Sequence, residues 1–270
     1  MLFNRLKILF VLIIVLLSVF ILLVLNSRSE EPSIPMVPIP QSTSIVEEIT
    51  RGNIIIIIDD FGYRNDEVSE GFLTLDADLT FAVIPGHKNS KLFSQKAYNS
   101  GYEIIIHMPM ESTADTHGEL DYILTESMTS SEIEQRVENV ISEFPDAAGL
   151  NNHQGSKATA DKRIMNIVSN VLKRHGRYFV DSRTTSLTVA EDIMRSRGVP
   201  TARRHVFLDN DNDANKIRDQ LYKLADKAES NGSAIGIGHA KKLTLQVLRD
   251  EIPKLKKNGF KFQFASFAVK

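Results

Sequence analysis

Short, wholly apolar runs alternate along most of the chain with segments whose hydrophobic positions recur every three or four residues. The first pattern predicts buried strands at residues 54–58, 79–84, 103–106, 147–150, 177–180, 199–202, 234–237 and 261–264. The second predicts helices at 66–75, 89–100, 130–143, 161–175, 189–197, 214–230 and 243–257. The apolar runs suit strands covered on both faces, as in a parallel sheet. Regular strand–helix alternation places the chain in the α/β class, and seven or eight βα units favour a sheet closed into a barrel. The Ser-Ser-Glu-Ile start of the 130–143 helix reads as a cap.

A different pattern precedes this domain. Arg5 and Lys7 lead into residues 8–25, which are apolar except for Ser18. That run sits near the lower end of the about 17–25 residues needed to span a bilayer. It exceeds the roughly 7–15-residue apolar core of a cleavable signal, and no Ala-x-Ala follows it. Residues 1–25 are therefore expected to form an uncleaved signal anchor, a single transmembrane helix; cleavage would make the protein secreted. The positive N-terminus places the following chain outside the cytoplasm, in the periplasm or cell envelope. Residues 26–50 carry Pro32, Pro35, Pro38 and Pro40 and read as a semi-extended linker. Residues 51–270 form the globular domain. Thirty-two Lys and Arg against 34 Asp and Glu, with no basic stripe, give no footprint for nucleic acid. The absence of cysteine does not bear on the compartment, because a domain of this size needs no disulfides.

Chemistry-bearing residues cluster where predicted strands end. Asp59 and Asp60 follow the first strand, His107 the third and Asn151-Asn152-His153 the fourth. Asp181 and Arg183 follow the fifth strand, and His239 follows residues 234–237. In α/β barrels the C-terminal rim carries the active site, so several strands deliver Asp, His, Asn and Arg to one place. Tandem carboxylates after an apolar strand need compensation, and one binding a metal while the other acts as base supplies it. Adjacent strand positions point to opposite faces, which argues against both binding one ion. One Asp and two His make an open metal site. Gly155 and Ser156 allow a tight turn beside His153. His87, His117, His175 and His205 read as ordinary structural residues. No glycine-rich phosphate cradle or arginine cluster supports a phosphoesterase.

With these residues in place, the chain resembles the divergent polysaccharide deacetylases, distant relatives of the NodB-type carbohydrate esterases. The resemblance rests on Ile-Asp-Asp-Phe-Gly at 58–62, His-Met-Pro-Met-Glu at 107–111 and Asn-Asn-His-Gln-Gly-Ser at 151–156. Val-Asp-Ser-Arg-Thr-Thr at 180–185, Phe-Leu-Asp-Asn at 207–210 and Gly-Ile-Gly-His at 236–239 extend it. It implies a distorted barrel of seven or eight βα units and a divalent metal, most often zinc, that activates water against an acetyl group. On that analogy Asp60, His107 and His153 bind the metal, Asp59 is the base and His239 the acid. Asp181 and Arg183 orient or neutralise neighbouring charges, and Glu111, Asn151, Asn152 and Ser156 face substrate, with Glu111 open as a further ligand or second acid. The partner implied is a polysaccharide or peptidoglycan-type glycan. One departure stands out: ordinary NodB enzymes take two ligands from a His-x-x-x-His turn, whereas here Lys157 lies four residues after His153 and Glu111 four after His107. A non-catalytic glycan-binding or envelope-organising module on the same fold is the competing expectation.

Overall fold

The computed structural model describes residues 13–24, 50–114 and 118–270. The chain divides into two units, Met1–Glu48 and Ile49–Lys270. Of the first, residues 13–24 are described and are helical. Among the described residues no helix is long and apolar enough to cross a membrane. The remainder of the expected anchor and nearly all of the expected linker lie outside the described residues.

The second unit is built on strands β1 (Gly52–Phe61), β2 (Thr80–Val83), β3 (Glu103–Met110), β4 (Gly149–Gln154) and β5 (Tyr178–Asp181). These are followed by β6 (Thr201–Arg203), β7 (Val206–Phe207), β8 (Ser233–His239) and β9 (Phe260–Gln263). The helices are α1 (Glu67–Phe72), α2 (Ser90–Asn99), α3 (Ser130–Glu143), α4 (Lys162–His175), α5 (Ala190–Arg197), α6 (Ala214–Asn231) and α7 (Lys242–Lys257). The strands pair in parallel in the order β6-β5-β4-β3-β2-β1-β8-β7, with β9 added to the first half of β1. The cap of α3 is Thr129, whose side chain and Glu132 form a reciprocal capping box, one residue before the expected start.

The isoleucine run of β1 shows how the layers are built. Ile54, Ile56 and Ile58 join the core under the helices. Ile55 and Ile57 turn to the inner face with Ala82, Ile105, Val180, Ile235 and Ile237. All five are fully buried, and each such side chain contributes about 1.5–3 kcal/mol relative to exposure.

The expected closed barrel is only partly formed. Strands β6 and β7, at opposite edges of the sheet, do not pair with each other. Only Arg204 and His205 separate them in sequence, so the sheet must curl until its edges nearly meet. The Arg204 amide donates to Asp181 O on the β5 side, and the His205 amide to Ile235 O on the β8 side. The chain itself steps across the seam, and edge strands of two and three residues leave no length for a ladder. The result is an open, barrel-like parallel sheet.

The floor, at the N-terminal ends of the strands, is closed by the C-terminal segment. Ala265, Ala268 and Val269 pack against the inner layer. Glu103 Oε1 accepts hydrogen bonds from Thr80 Oγ1 at 2.8 Å, Tyr178 OH at 2.8 Å and the Ser266 amide at 3.1 Å. Thr80 Oγ1 in turn accepts from the Ala265 amide at 2.9 Å.

Candidate metal centre

The opposite rim gathers the polar residues, and a bulge at the end of β1 makes this possible. Ile58 pairs with Phe81 and Phe61 with Val83, so three steps on β1 face two on β2. Asp59 continues the inward parity of Ile55 and Ile57. Asp60 would by alternation face the helices, but its φ of 70° turns it back to the rim. Gly62, at φ 119°, completes the reversal in a conformation few side chains accept. Both carboxylates therefore meet the same imidazole: His107 Nε2 lies 3.5 Å from Asp59 Oδ2 and 3.4 Å from Asp60 Oδ1. Both side chains thus reach the rim, although only Asp60 joins the two histidines within ligand reach of one ion.

His107 lies within β3 and His153 within β4, so the two imidazoles come from neighbouring strands rather than one helical turn. Asp60 Oδ1, His107 Nε2 and His153 Nδ1 form a triangle with edges of 3.1, 3.4 and 3.4 Å. Ligand bonds of about 2.0–2.2 Å in a tetrahedral site put neighbouring donor atoms about 3.3–3.6 Å apart. The triangle thus matches one face of a tetrahedron around a single cation, with the fourth position open. Asp60 Oδ1 is buried yet receives no hydrogen bond, and such an orphaned acceptor calls for an ion or a donor. These donors fit a divalent metal.

A buried amide fixes the orientation of the ligands. Asn151 Nδ2 donates to Asp59 Oδ1 at 2.8 Å, leaving Asn151 Oδ1 to accept from His107 Nδ1 at 2.7 Å. His107 therefore carries its proton on Nδ1 and turns the lone pair of Nε2 toward Asp60, as metal-binding histidines do when an outer partner holds the other nitrogen. Burial pushes the Asp59 carboxyl above its usual range, with His107 and His239 opposing. Burial also acts upward on Asp60, but His107, His153 and His239 outweigh it and hold that carboxyl well below its ordinary value. Adjacent carboxylates pushed in opposite directions are equipped for different roles.

Asp59 and His239 pair across β1 and β8. His239 Nδ1 lies 2.8 Å from Asp209 Oδ1, while Asp209 Oδ2 accepts from the His239 amide at 2.8 Å and Thr244 Oγ1 at 2.6 Å. Burial lowers His239, but the bond and charge of Asp209 overcome it and favour imidazolium. Asp209 stays ionised because His239 and Thr244 outweigh its own burial. Sequence reasoning assigned no role to Asp209, although it lies in the quoted 207–210 segment. It also passed over Arg204, whose guanidinium donates to Ser182 O and Arg183 O and lies 4.8 Å over the Phe207 ring. Phe207 in turn packs edge-on against His239. The Arg203-Arg204-His205 run was the available signal.

The remaining sequence candidates lie around the centre. Asn151 and Asn152 are buried, at 0% and 1% exposure, and the Asn151 side chain bonds Asp59 and His107. Asn152 instead ties β4 to the loop after β5 by accepting from the Ser182 amide, while its Nδ2 donates to Gln154 O within β4. The Glu111 carboxylate meets Lys157 Nζ and the Glu126 amide at 2.7 Å each, which holds the long β3–α3 connection rather than a metal. Ser156 Oγ accepts from the Thr113 amide, pinning the same connection. Gly155 stands at φ 83° with Met110 Cβ 2.9 Å from where its own Cβ would fall, the tight turn expected there. Asp181 accepts from the Arg183 amide and Thr188 Oγ1. Among the described residues neither Asp181 nor Arg183 forms an ion pair or hydrogen bond with the triangle.

A cleft of about 240 Å³ opens beside the triangle, lined by Asp60, Tyr63, Arg64, His239 and Lys241 among others. The arrangement combines three groups able to hold a metal, an outlying carboxylate and a histidine bonded to Asp209 at one rim.

Comparison with known proteins agrees with this picture. The family model for divergent polysaccharide deacetylases matches residues 56–269. The uncharacterized Escherichia coli K12 protein YibQ is 36% identical over 207 residues, covering 77% of this chain. That match spans 64% of the E. coli protein, just under two thirds of its length. An uncharacterized Haemophilus influenzae Rd protein is 34% identical over 199 residues, covering 74% of this chain and 70% of its own. The crystal structure of the uncharacterized Agrobacterium tumefaciens C58 protein ATU2773 superposes with a TM-score of 0.76 at 19% identity, over 81% of this chain and 89% of that one. At that identity the likeness concerns the fold alone.

Proposed function

The chain belongs to the divergent polysaccharide deacetylases, and from that premise we propose that it is a metal-dependent hydrolase removing N- or O-acetyl groups from an envelope polysaccharide. The observation that carries the reading is the Asp60–His107–His153 triangle, with its edges of 3.1–3.4 Å and its orphaned carboxylate oxygen. A divalent cation bound there, zinc by the oxygen and nitrogen donors, would acidify a water and polarise the acetyl carbonyl.

The protein residues divide the proton work. Asp59, buried and raised by that burial, takes the proton of the attacking water. Asn151 holds Asp59 in place through its amide and, through the same side chain, keeps the His107 proton on Nδ1. His239, held protonated by Asp209, gives its Nε2 proton to the departing amine or alcohol. Membrane attachment through residues 1–25, with the domain in the periplasm or cell envelope, completes the proposal; the apolar run and the flanking Arg5 and Lys7 support it.

Acetate release tests it. The purified full chain, stripped with chelator and then given one equivalent of zinc, is expected to liberate acetate from N-acetylated oligosaccharides only after the metal is restored. Saturable glycan binding with no acetate under either condition would assign the fold to a non-catalytic binding module instead.

A further inference from the structure

We propose that the cleft beside the triangle selects an anionic sugar, with Arg64 and Lys241 gripping a carboxylate carried by the glycan. This rests on the reading of the rim as a glycan site and adds the class of glycan. The chain as a whole is slightly acidic, at net charge −2, yet the cleft has the opposite character. Asp60 is the only carboxylate among its lining residues, and its buried oxygen faces His107 and His153. The other charged side chains of the lining are Arg64 and Lys241.

Neither cation is held in a close ion pair. Arg64 has a side chain 62% exposed and approaches Asp66 only at 4.0 Å. The Asp66 carboxylate is engaged as the cap of α1, accepting from Val68, Ser69 N and Ser69 Oγ. Among the described residues Lys241 makes no ion pair and its ammonium no hydrogen bond. It stands at the start of α7, where no side chain caps the helix, so the backbone there adds to the positive field.

The wall carrying Arg64 is also held firmly. Tyr63 OH donates to Glu119 Oε1 at 2.6 Å, and His87 Nε2 meets the same oxygen at 2.7 Å. The Tyr63 and His87 rings lie 4.0 Å apart. Glu119 itself is nearly buried, with 5% side-chain exposure, and holds a φ of 47°. This tie spans the β1–α1 and β3–α3 connections and fixes the residue next to Arg64. A cleft with two cations free of close ion pairs focuses its field on an anionic ligand.

The test compares two ligands on the full chain: an N-acetylated oligosaccharide bearing carboxylates, and the same oligosaccharide with those carboxylates reduced to alcohols. The carboxylated form is expected to bind about tenfold tighter, about 1.4 kcal/mol in binding free energy. The ratio should shrink with added salt and fall toward one in the Arg64→Gln, Lys241→Gln double variant. Equal affinities in the unaltered protein, binding of neither ligand, or an unchanged ratio in the double variant would overturn the inference. Acetate release, followed on the same samples, separates this from the function itself. Turnover without carboxylate preference rejects the anionic glycan alone, and carboxylate-selective binding without turnover rejects the hydrolase alone.

Discussion

The floor and the rim of the sheet both bury polar side chains, but they treat them in opposite ways. At the floor, the Glu103 carboxylate takes three donors, and Thr80 both donates and accepts. The network is complete and pins the C-terminal segment under the sheet. At the rim, Asp60 Oδ1 takes no hydrogen bond although it is buried, and two imidazole nitrogens face each other at 3.1 Å. With the His107 proton on Nδ1, its Nε2 presents a lone pair, so a second lone pair on His153 Nδ1 could share that space only with a proton or a cation between them. A satisfied buried network is structure; an incomplete one, built by three different strands, is a site for something else.

Substitutions break this comparison at graded points. The largest effect is expected from His153→Ala or Asp60→Ala. Each removes a triangle corner, so metal affinity should fall by more than the about 10–100-fold typical of outer partners, and acetate release should drop to background. Asp59→Asn comes next: the triangle stays, so metal content is retained, while loss of the base lowers turnover by about 10²–10⁴-fold. Asn151→Ala should weaken metal binding by about 10–100-fold, because His107 loses the acceptor that fixes its proton on Nδ1; calorimetric zinc titration reads this directly. At the floor, Glu103→Ala should leave metal binding and turnover unchanged. It strands the buried Tyr178 and Thr80 hydroxyls and lowers unfolding free energy by about 2–3 kcal/mol in urea denaturation. A floor variant that lost metal, or a His153→Ala protein that kept it, would erase the distinction.

The two regions also differ in how much of them the amino-acid pattern disclosed. Residues 54–58 read plainly as a buried strand, and the structure extends it to Gly52–Phe61. The gathering of Asp59, Asp60, His107, His153 and His239 at strand ends was equally legible, because each follows an apolar run. The bulge was not. Nothing in a run of isoleucines ending in two aspartates marks a positive φ at Asp60, which tertiary contacts impose on a residue that ordinarily avoids it. The strands β3 and β4 also run on through His107 and His153 instead of stopping before them, since sheet pairing overrides the weak strand propensity of Asn, Pro and Gln. Strand β7, only two residues long, has no period to detect, and with it went the roles of Arg204 and Asp209. The burial of Asn151 and Asn152 was not legible either, because burial depends on neighbours that lie far away in sequence.

The most direct measurement is the zinc stoichiometry of the full chain, by titration after exhaustive chelation, beside its His153→Ala and Glu103→Ala variants. One equivalent bound by the unaltered protein and by Glu103→Ala, and none by His153→Ala, is the predicted result. No metal in any of the three, or one equivalent in all three, would contradict the assignment of Asp60, His107 and His153 as a metal centre.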